Sequence, residues 1–108
     1  MTVVSRVTVL GLIVVVLGAA GPTVNYRGTG TVLAVLPPPS DLHATRPVIV
    51  IEHEPIVGLM AERMAMPFIA VSTTLFEGLR PGDRIAFGLQ DTPDALLVVT
   101  IERLATQR

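Results

Sequence analysis

The chain has 108 residues, a net charge of −1 and a hydrophobic content of 50%. A chain of this length holds one domain and a short processed or anchoring segment. All eight basic residues are arginines, scattered along the chain, so the sequence offers no basic stripe for binding nucleic acid. Cysteine is absent, which excludes disulfide bonds and thiolate metal ligands.

The N-terminal residues have the pattern of a secretory signal peptide. Arg6 supplies a positive charge, an apolar run covers residues 7–20, and that run ends in small residues. It is shorter than the roughly 20 residues that a membrane-spanning helix needs. We therefore predict export with cleavage near Ala20, and so a periplasmic or other extracytoplasmic location. The alternative is an uncleaved N-terminal anchor, the only case in which we expect membrane association.

The remaining sequence predicts a small all-β domain. We predict a signal peptide or membrane anchor over residues 1–21, a linker over residues 22–28 and a folded domain over residues 29–108. Segments rich in β-branched and aliphatic residues predict five strands. In chain order these are residues 29–36, 48–53, 63–71, 84–89 and 95–104. With one capped helical turn over residues 72–79, they predict a five-stranded OB-like Greek-key barrel, in which Pro67 marks an edge or a bulge.

The methionines are grouped beside a histidine. Apart from the initiator, every methionine lies in one short run, as Met60, Met64 and Met66, and His53 opens that run. Thioether sulfur together with imidazole favours Cu(I) or Ag(I) over Mg²⁺ or Ca²⁺, which prefer oxygen ligands. A lone strand methionine is more often core filler. The grouping favours a metal site, because the domain uses leucine, isoleucine and valine elsewhere.

The same run resembles a known family. His53, an acid-Pro-Ile sequence, a loop and then Met-Ala-Met-Pro-Phe are similar to the periplasmic copper/silver chaperone family typified by CusF. Residues 30–35 resemble the first strand of that family, and residues 79–87 resemble its Gly-Asp turn and fourth strand. The resemblance covers roughly residues 28–104 and implies a five-stranded barrel.

The resemblance also implies a ligand set. In that family one histidine and two methionines bind Cu(I) or Ag(I), and a tryptophan caps the ion by a cation–π contact. Carried over, the ligands are His53, Met64 and Met66. The tryptophan has no counterpart, because Ala61 takes its place. Met60 stands next to that position and is a candidate for a third sulfur.

Other residues give weaker signals. Glu52, Glu54 and Glu62 are expected to be solvated, and among them Glu54 is the preferred candidate to orient His53 through its other ring nitrogen. The sequence contains no paired carboxylates, phosphate-binding loop or zinc-ligand spacing, so we predict that the protein is not an enzyme and has no catalytic residues. His43, in the proline-rich connection, is expected to be an exposed loop residue.

The sequence therefore predicts an exported Cu(I)-binding protein, with Ag(I) as a second candidate ion. It would act as a periplasmic metallochaperone or sequestering factor in copper homeostasis or efflux. By resemblance, its partner would be an efflux-pump component or a copper-enzyme assembly protein. The alternative is an OB-like protein-interaction module without metal, whose methionines form an adaptable docking patch. An oligonucleotide or glycan binder is less consistent with the sequence, because exposed aromatic residues and a basic groove are lacking.

Overall fold

The computed structural model describes residues 21–105. The predicted signal or anchor segment lies outside the described residues, except for Gly21. Within them, no helix has the length and apolarity to cross a membrane.

Five strands close into a barrel. They are β1 (Tyr26–Leu36), β2 (Val48–His53), β3 (Met64–Ala70), β4 (Arg84–Asp91) and β5 (Leu96–Arg103). Their order around the barrel is β1-β2-β3-β5-β4, with β4 returning to β1. All neighbours are antiparallel except β3 and β5, which are parallel. The predicted all-β five-stranded barrel is confirmed.

The first strand begins earlier than predicted. β1 starts at Tyr26, so three residues of the predicted linker over 22–28 belong to the barrel and pair with β4. The polar and glycine-rich composition suggested a linker, but Gly28 lies within β1, where the barrel leaves no room for a side chain. A Cβ atom at Gly28 would lie 2.8 Å from the ring of Phe87. The other four strands lie within two residues of their predicted bounds.

The core comes from the inward-facing residues of every strand. The completely buried side chains include Val32, Ile49, Ile51, Ile85, Leu89 and Val98. Because side chains alternate along each strand, these residues all point into the barrel. The barrel therefore holds together through a branched aliphatic core, without any disulfide.

The third strand is only partly enclosed. It pairs with β2 from Met64 to Ile69, but it meets β5 only at Ile69 and Ala70. The earlier residues of β3 therefore have a strand neighbour on one side alone. Pro67 lies in this part, in agreement with the predicted edge position, because proline cannot donate a ladder hydrogen bond.

A single 3-10 turn, Thr73–Phe76, connects β3 to β4. Ser72 caps it, as its Oγ accepts a hydrogen bond from the backbone N–H of Thr74 at 3.1 Å. The predicted capped turn is confirmed, although it is shorter than the predicted segment.

Candidate metal centre

His53 is the last residue of β2 and is completely buried, with a relative exposure of 0%. The strand register places it between two neighbours, Gly30 on β1 and Met64 on β3. Residues directly opposite each other on paired strands share a face of the sheet. His53 and Met64 therefore lie side by side on one face at the end of the barrel.

The hydrogen bonding of the imidazole leaves one ring nitrogen available. Nδ1 of His53 lies 2.9 Å from the backbone oxygen of Glu54. A carbonyl oxygen can only accept, so Nδ1 carries the proton and Nε2 of the neutral ring keeps its lone pair. In the part of the chain that the structure describes, Nε2 is the only buried side-chain nitrogen or oxygen without a hydrogen-bond partner. An unpaired buried nitrogen costs stability, and binding a metal ion would account for it.

Glu54 orients the ring, but through a different group from the carboxylate. Its backbone oxygen accepts the hydrogen bond from His53, while its carboxylate lies 3.5 Å from the guanidinium of Arg63 and 4.0 Å from that of Arg84. Glu54, the candidate from the sequence, is thus the hydrogen-bond partner of Nδ1 of His53. A group that orients a metal-binding histidine makes this kind of contact.

Two of the three predicted methionines lie on β3 beside His53. Met64 is directly opposite the histidine and is 47% exposed, and Met66 lies two residues further along, opposite Ile51. Met66 packs against the buried core. Diagonal neighbours on adjacent strands have Cα atoms about 7–8 Å apart, within reach of a flexible methionine side chain. The strand pairing therefore brings His53, Met64 and Met66 to one end of the barrel.

The loop between β2 and β3 carries Met60. Ile56 and Met60 exchange two backbone hydrogen bonds, of 2.8 and 2.9 Å, around a turn in which Gly58 has a φ of 85°. Ile56 is buried and holds the loop to the core, and Met60 packs on the same core. Ala61, at the position where the resemblance would place the family's tryptophan, is exposed. Met60 thus lies in the segment that joins the two strands of the site.

Two residues near His53 escaped the sequence-based prediction. Phe68 packs against the imidazole in a T-shaped arrangement, with ring centroids 5.8 Å apart. A Cβ atom at Gly30 would lie 2.9 Å from Cα of His53 and 2.5 Å from the backbone oxygen of Glu52. A glycine inside a strand pattern indicates such a close backbone approach, so Gly30 carried a usable signal.

The described residues contain no site built from harder ligands. Across residues 21–105, no group of three or more histidine, cysteine, aspartate or glutamate side chains could hold a metal ion. A zinc or calcium centre of the usual composition is therefore not found in this part of the chain. The histidine-methionine arrangement is the candidate that the geometry supports.

Comparison with known proteins identifies the family. The family model described as "Copper binding periplasmic protein CusF" matches residues 25–103. The chain belongs to the CusF family. This is a metal-binding chaperone family and not an enzyme family, which agrees with the prediction from the sequence. A comparison with curated protein sequences finds no significant match.

Solved structures of CusF and of a domain of SilB share the fold. Ag(I)-bound CusF from Escherichia coli is 27% identical, with a TM-score of 0.56, and the match covers 80% of this chain and 98% of that one. A tryptophan-to-alanine variant of the same protein with Cu(II) is 26% identical, with a TM-score of 0.54 and the same coverage. The C-terminal domain of SilB from Cupriavidus metallidurans is 27% identical, with a TM-score of 0.56, over 74% of this chain and 88% of that one.

Proposed function

We propose that this CusF-family chain is an exported Cu(I)-binding protein that acts as a periplasmic metallochaperone or sequestering factor, with Ag(I) as a second ion. The proposed ligands are Nε2 of His53 and the sulfurs of Met64 and Met66. The observation that carries the proposal is the buried, unpartnered Nε2 of His53, a residue that lies directly opposite Met64 on the neighbouring strand. Membership of the family supports it independently.

The chemistry of these ligands suits a soft monovalent ion. Thioethers are neutral and need no deprotonation, and imidazole binds in its neutral form, so an ion can enter without displacing protons from the ligands. Thioethers also oxidise less readily than thiolates, which suits an oxidising compartment. Partial exposure of Met64 leaves one side of the site open for a ligand from a partner, which would allow direct transfer of the ion.

The position that corresponds to the family's tryptophan carries no aromatic ring in this chain. Ala61 is exposed, and residues 55–61 line a shallow cleft of about 350 Å³. A CusF variant with a tryptophan replaced by alanine has been solved with Cu(II), so loss of a tryptophan is compatible with copper binding in that protein. We propose Met60 as an additional sulfur ligand here, because it is anchored in this loop by its backbone bridge to Ile56.

The recipient of the ion is proposed to be an efflux-pump component or a copper-enzyme assembly protein. Both would take the ion from the same open side of the site. Membrane association is expected only if the N-terminal segment is retained as an anchor.

A competition titration with a chromogenic Cu(I) chelator, under reducing conditions, tests the ligand set. Met64→Leu and Met66→Leu conserve volume and should cost less than about 1.5 kcal/mol of stability each. We expect the double variant to lose Cu(I) affinity by more than roughly 100-fold, beyond the range for changes outside the ligands. Leu42→Met is the matched control, since it makes the reverse exchange at an exposed position in the connection between β1 and β2. Unchanged affinity in the double variant would overturn the proposal.

A second candidate function is a protein-interaction module. Val57, Leu59 and Met64 are exposed apolar residues in or next to the loop, with Val57 at 90%. Such a patch could contact a protein partner. The same methionine-to-leucine variants separate the two functions. A docking patch would keep its volume and apolarity and still bind its protein partner, whereas a metal site would lose its sulfur ligands.

A further inference from the structure

Four charged side chains form a cluster near the candidate ligand His53. We call Glu52, Glu54, Arg63 and Arg84 the rim cluster. Arg63 lies 3.9 Å from the carboxylate of Glu52 and 3.5 Å from that of Glu54, and Arg84 lies 4.0 Å from Glu54. The cluster thereby links β2, the residue before β3, and the first residue of β4.

Glu54 is the centre of this cluster and is held at three points. Its backbone N–H donates to the backbone oxygen of Thr29 on β1 at 2.9 Å. Its carboxylate pairs with Arg63 and Arg84, and its backbone oxygen accepts the hydrogen bond from Nδ1 of His53. Glu54 is therefore held by contacts with β1, with β4 and with the residue that precedes β3.

The ring of His53 responds to that carbonyl. While the oxygen of Glu54 faces Nδ1, the proton stays on Nδ1 and the lone pair stays on the buried Nε2. If the carbonyl turned away, the proton could move to Nε2, and the nitrogen proposed to bind the ion would be blocked. Arg63 also directly precedes Met64, so its ion pairs tie the start of β3 to the end of β2.

We propose that the rim cluster is a positioning device for the metal site, with Glu54 and Arg63 as its positioning residues. It holds the Glu54 carbonyl against Nδ1, keeps Nε2 free of a proton, and holds Met64 opposite His53. The expected change in Cu(I) affinity rests on the proposed function. The consequence of the rim cluster for the tautomer of His53 can be measured without any metal.

The exposure of these charges limits how much the rim cluster can change Cu(I) affinity. Each partner is partly exposed, and solvent screening makes exposed ion pairs weak. Groups that orient a metal-binding histidine have larger effects on affinity, of roughly 10- to 100-fold. We therefore expect a loss of Cu(I) affinity of roughly three- to tenfold when the pairs of Glu54 or Arg63 are removed.

The test uses Glu54→Gln and Arg63→Gln, with Arg63→Lys as the conservative rescue. Arg103→Gln is the matched control, because Arg103 is as exposed as Arg63 and pairs with Asp83 at 3.7 Å, outside the rim cluster. Two readouts are needed. The first is the ¹⁵N spectrum of the His53 ring in the metal-free protein, which reports the tautomer. The second is the Cu(I) competition titration.

We expect a ring protonated at Nδ1 in the natural chain and in Arg103→Gln, and a mixture of tautomers with weaker Cu(I) binding in Glu54→Gln and Arg63→Gln. Arg63→Lys should restore most of both. An unchanged tautomer together with affinity within twofold of the natural chain, in both glutamine variants, would overturn the inference. If the natural chain bound no Cu(I) while the tautomer still shifted, the proposed function would fail and the positioning role would stand.

Discussion

At the scale of the residue, the central feature is a buried histidine with one unpaired ring nitrogen. Nε2 of His53 is buried and has no hydrogen-bond partner among the described residues. Leaving a buried acceptor unpaired costs about 1–3 kcal/mol, whereas the hydrogen bond from Nδ1 returns about 0.5–1.5 kcal/mol. The metal-free protein therefore carries a net penalty at this position, which an ion bound at Nε2 would remove.

Replacing the imidazole should stabilise the metal-free protein. We expect His53→Leu to raise the free energy of unfolding by about 1 kcal/mol, because the unpaired nitrogen is removed while the apolar volume is kept. The measurement is urea denaturation without metal. The same variant should bind no Cu(I) in the competition titration.

The other histidine provides the contrast for this experiment. Nδ1 of His43 accepts hydrogen bonds from the backbone N–H groups of Thr45 and Arg46 at 3.2 and 3.1 Å. His43→Leu leaves both donors without that acceptor, so it should lower stability by about 1 kcal/mol. A loss of stability in His53→Leu as large as that in His43→Leu would mean that His53 has a structural role.

The residues of the site differ in how well the sequence indicated them. Met64 and Met66 could be placed on one face because side chains alternate along a strand. Placing them beside His53 needed the pairing of β2 with β3, which the sequence does not state. The sequence named the right residue, Glu54, as the partner of the His53 ring, but the backbone oxygen of Glu54 accepts that hydrogen bond. The carboxylate of Glu54 pairs with Arg63 and Arg84 instead.

At the scale of the element, the site depends on three strands meeting in register. The bounds of β2 were predicted correctly, because a run of valine and isoleucine lies between Pro47 and Pro55. The start of β1 was predicted too late, since glycines that permit close packing look like linker glycines in the sequence. Gly30 is the clearest case, because it faces His53 across the β1–β2 pair and leaves no room for a side chain.

We expect Gly30→Ala to force β1 away from β2 at the site. The added Cβ would lie 2.5 Å from the backbone oxygen of Glu52, and a backbone atom cannot swing aside as a side chain can. Overpacking of this kind costs about 1–3 kcal/mol, which urea denaturation would measure. The amide signals of Glu52 and His53 should shift, and Cu(I) affinity should fall.

Leu33→Ala is the control for that change, because Leu33 lies on the same strand and its side chain is 44% exposed. It should leave stability and Cu(I) affinity close to those of the natural chain. Equal stability of Gly30→Ala and the control would contradict the tight approach of the two strands.

At the scale of the whole molecule, the candidate site lies where the barrel is least enclosed. The first residues of β3 pair only with β2, and the parallel contact with β5 is limited to Ile69 and Ala70. The chain has no cysteine, so no disulfide secures this edge. An ion bound by residues of both β2 and β3 would tie the open edge to the rest of the barrel, and binding would then be coupled to global stability.

The last prediction follows from that coupling. A ligand that binds only the folded protein stabilises it by about 2.7 kcal/mol when its free concentration is 100 times its dissociation constant. For a domain of this size each kcal/mol raises Tm by about 4–8 °C, so saturating Cu(I) should raise Tm by roughly 10–20 °C. Differential scanning calorimetry under reducing conditions measures the shift, and Mg²⁺ at the same concentration should produce none because it prefers oxygen ligands.

The Met64→Leu, Met66→Leu double variant should unfold at the same temperature with and without Cu(I). A shift in that variant as large as in the natural chain would show that the stabilising ion binds elsewhere, and the assignment of the metal centre to β2 and β3 would be wrong.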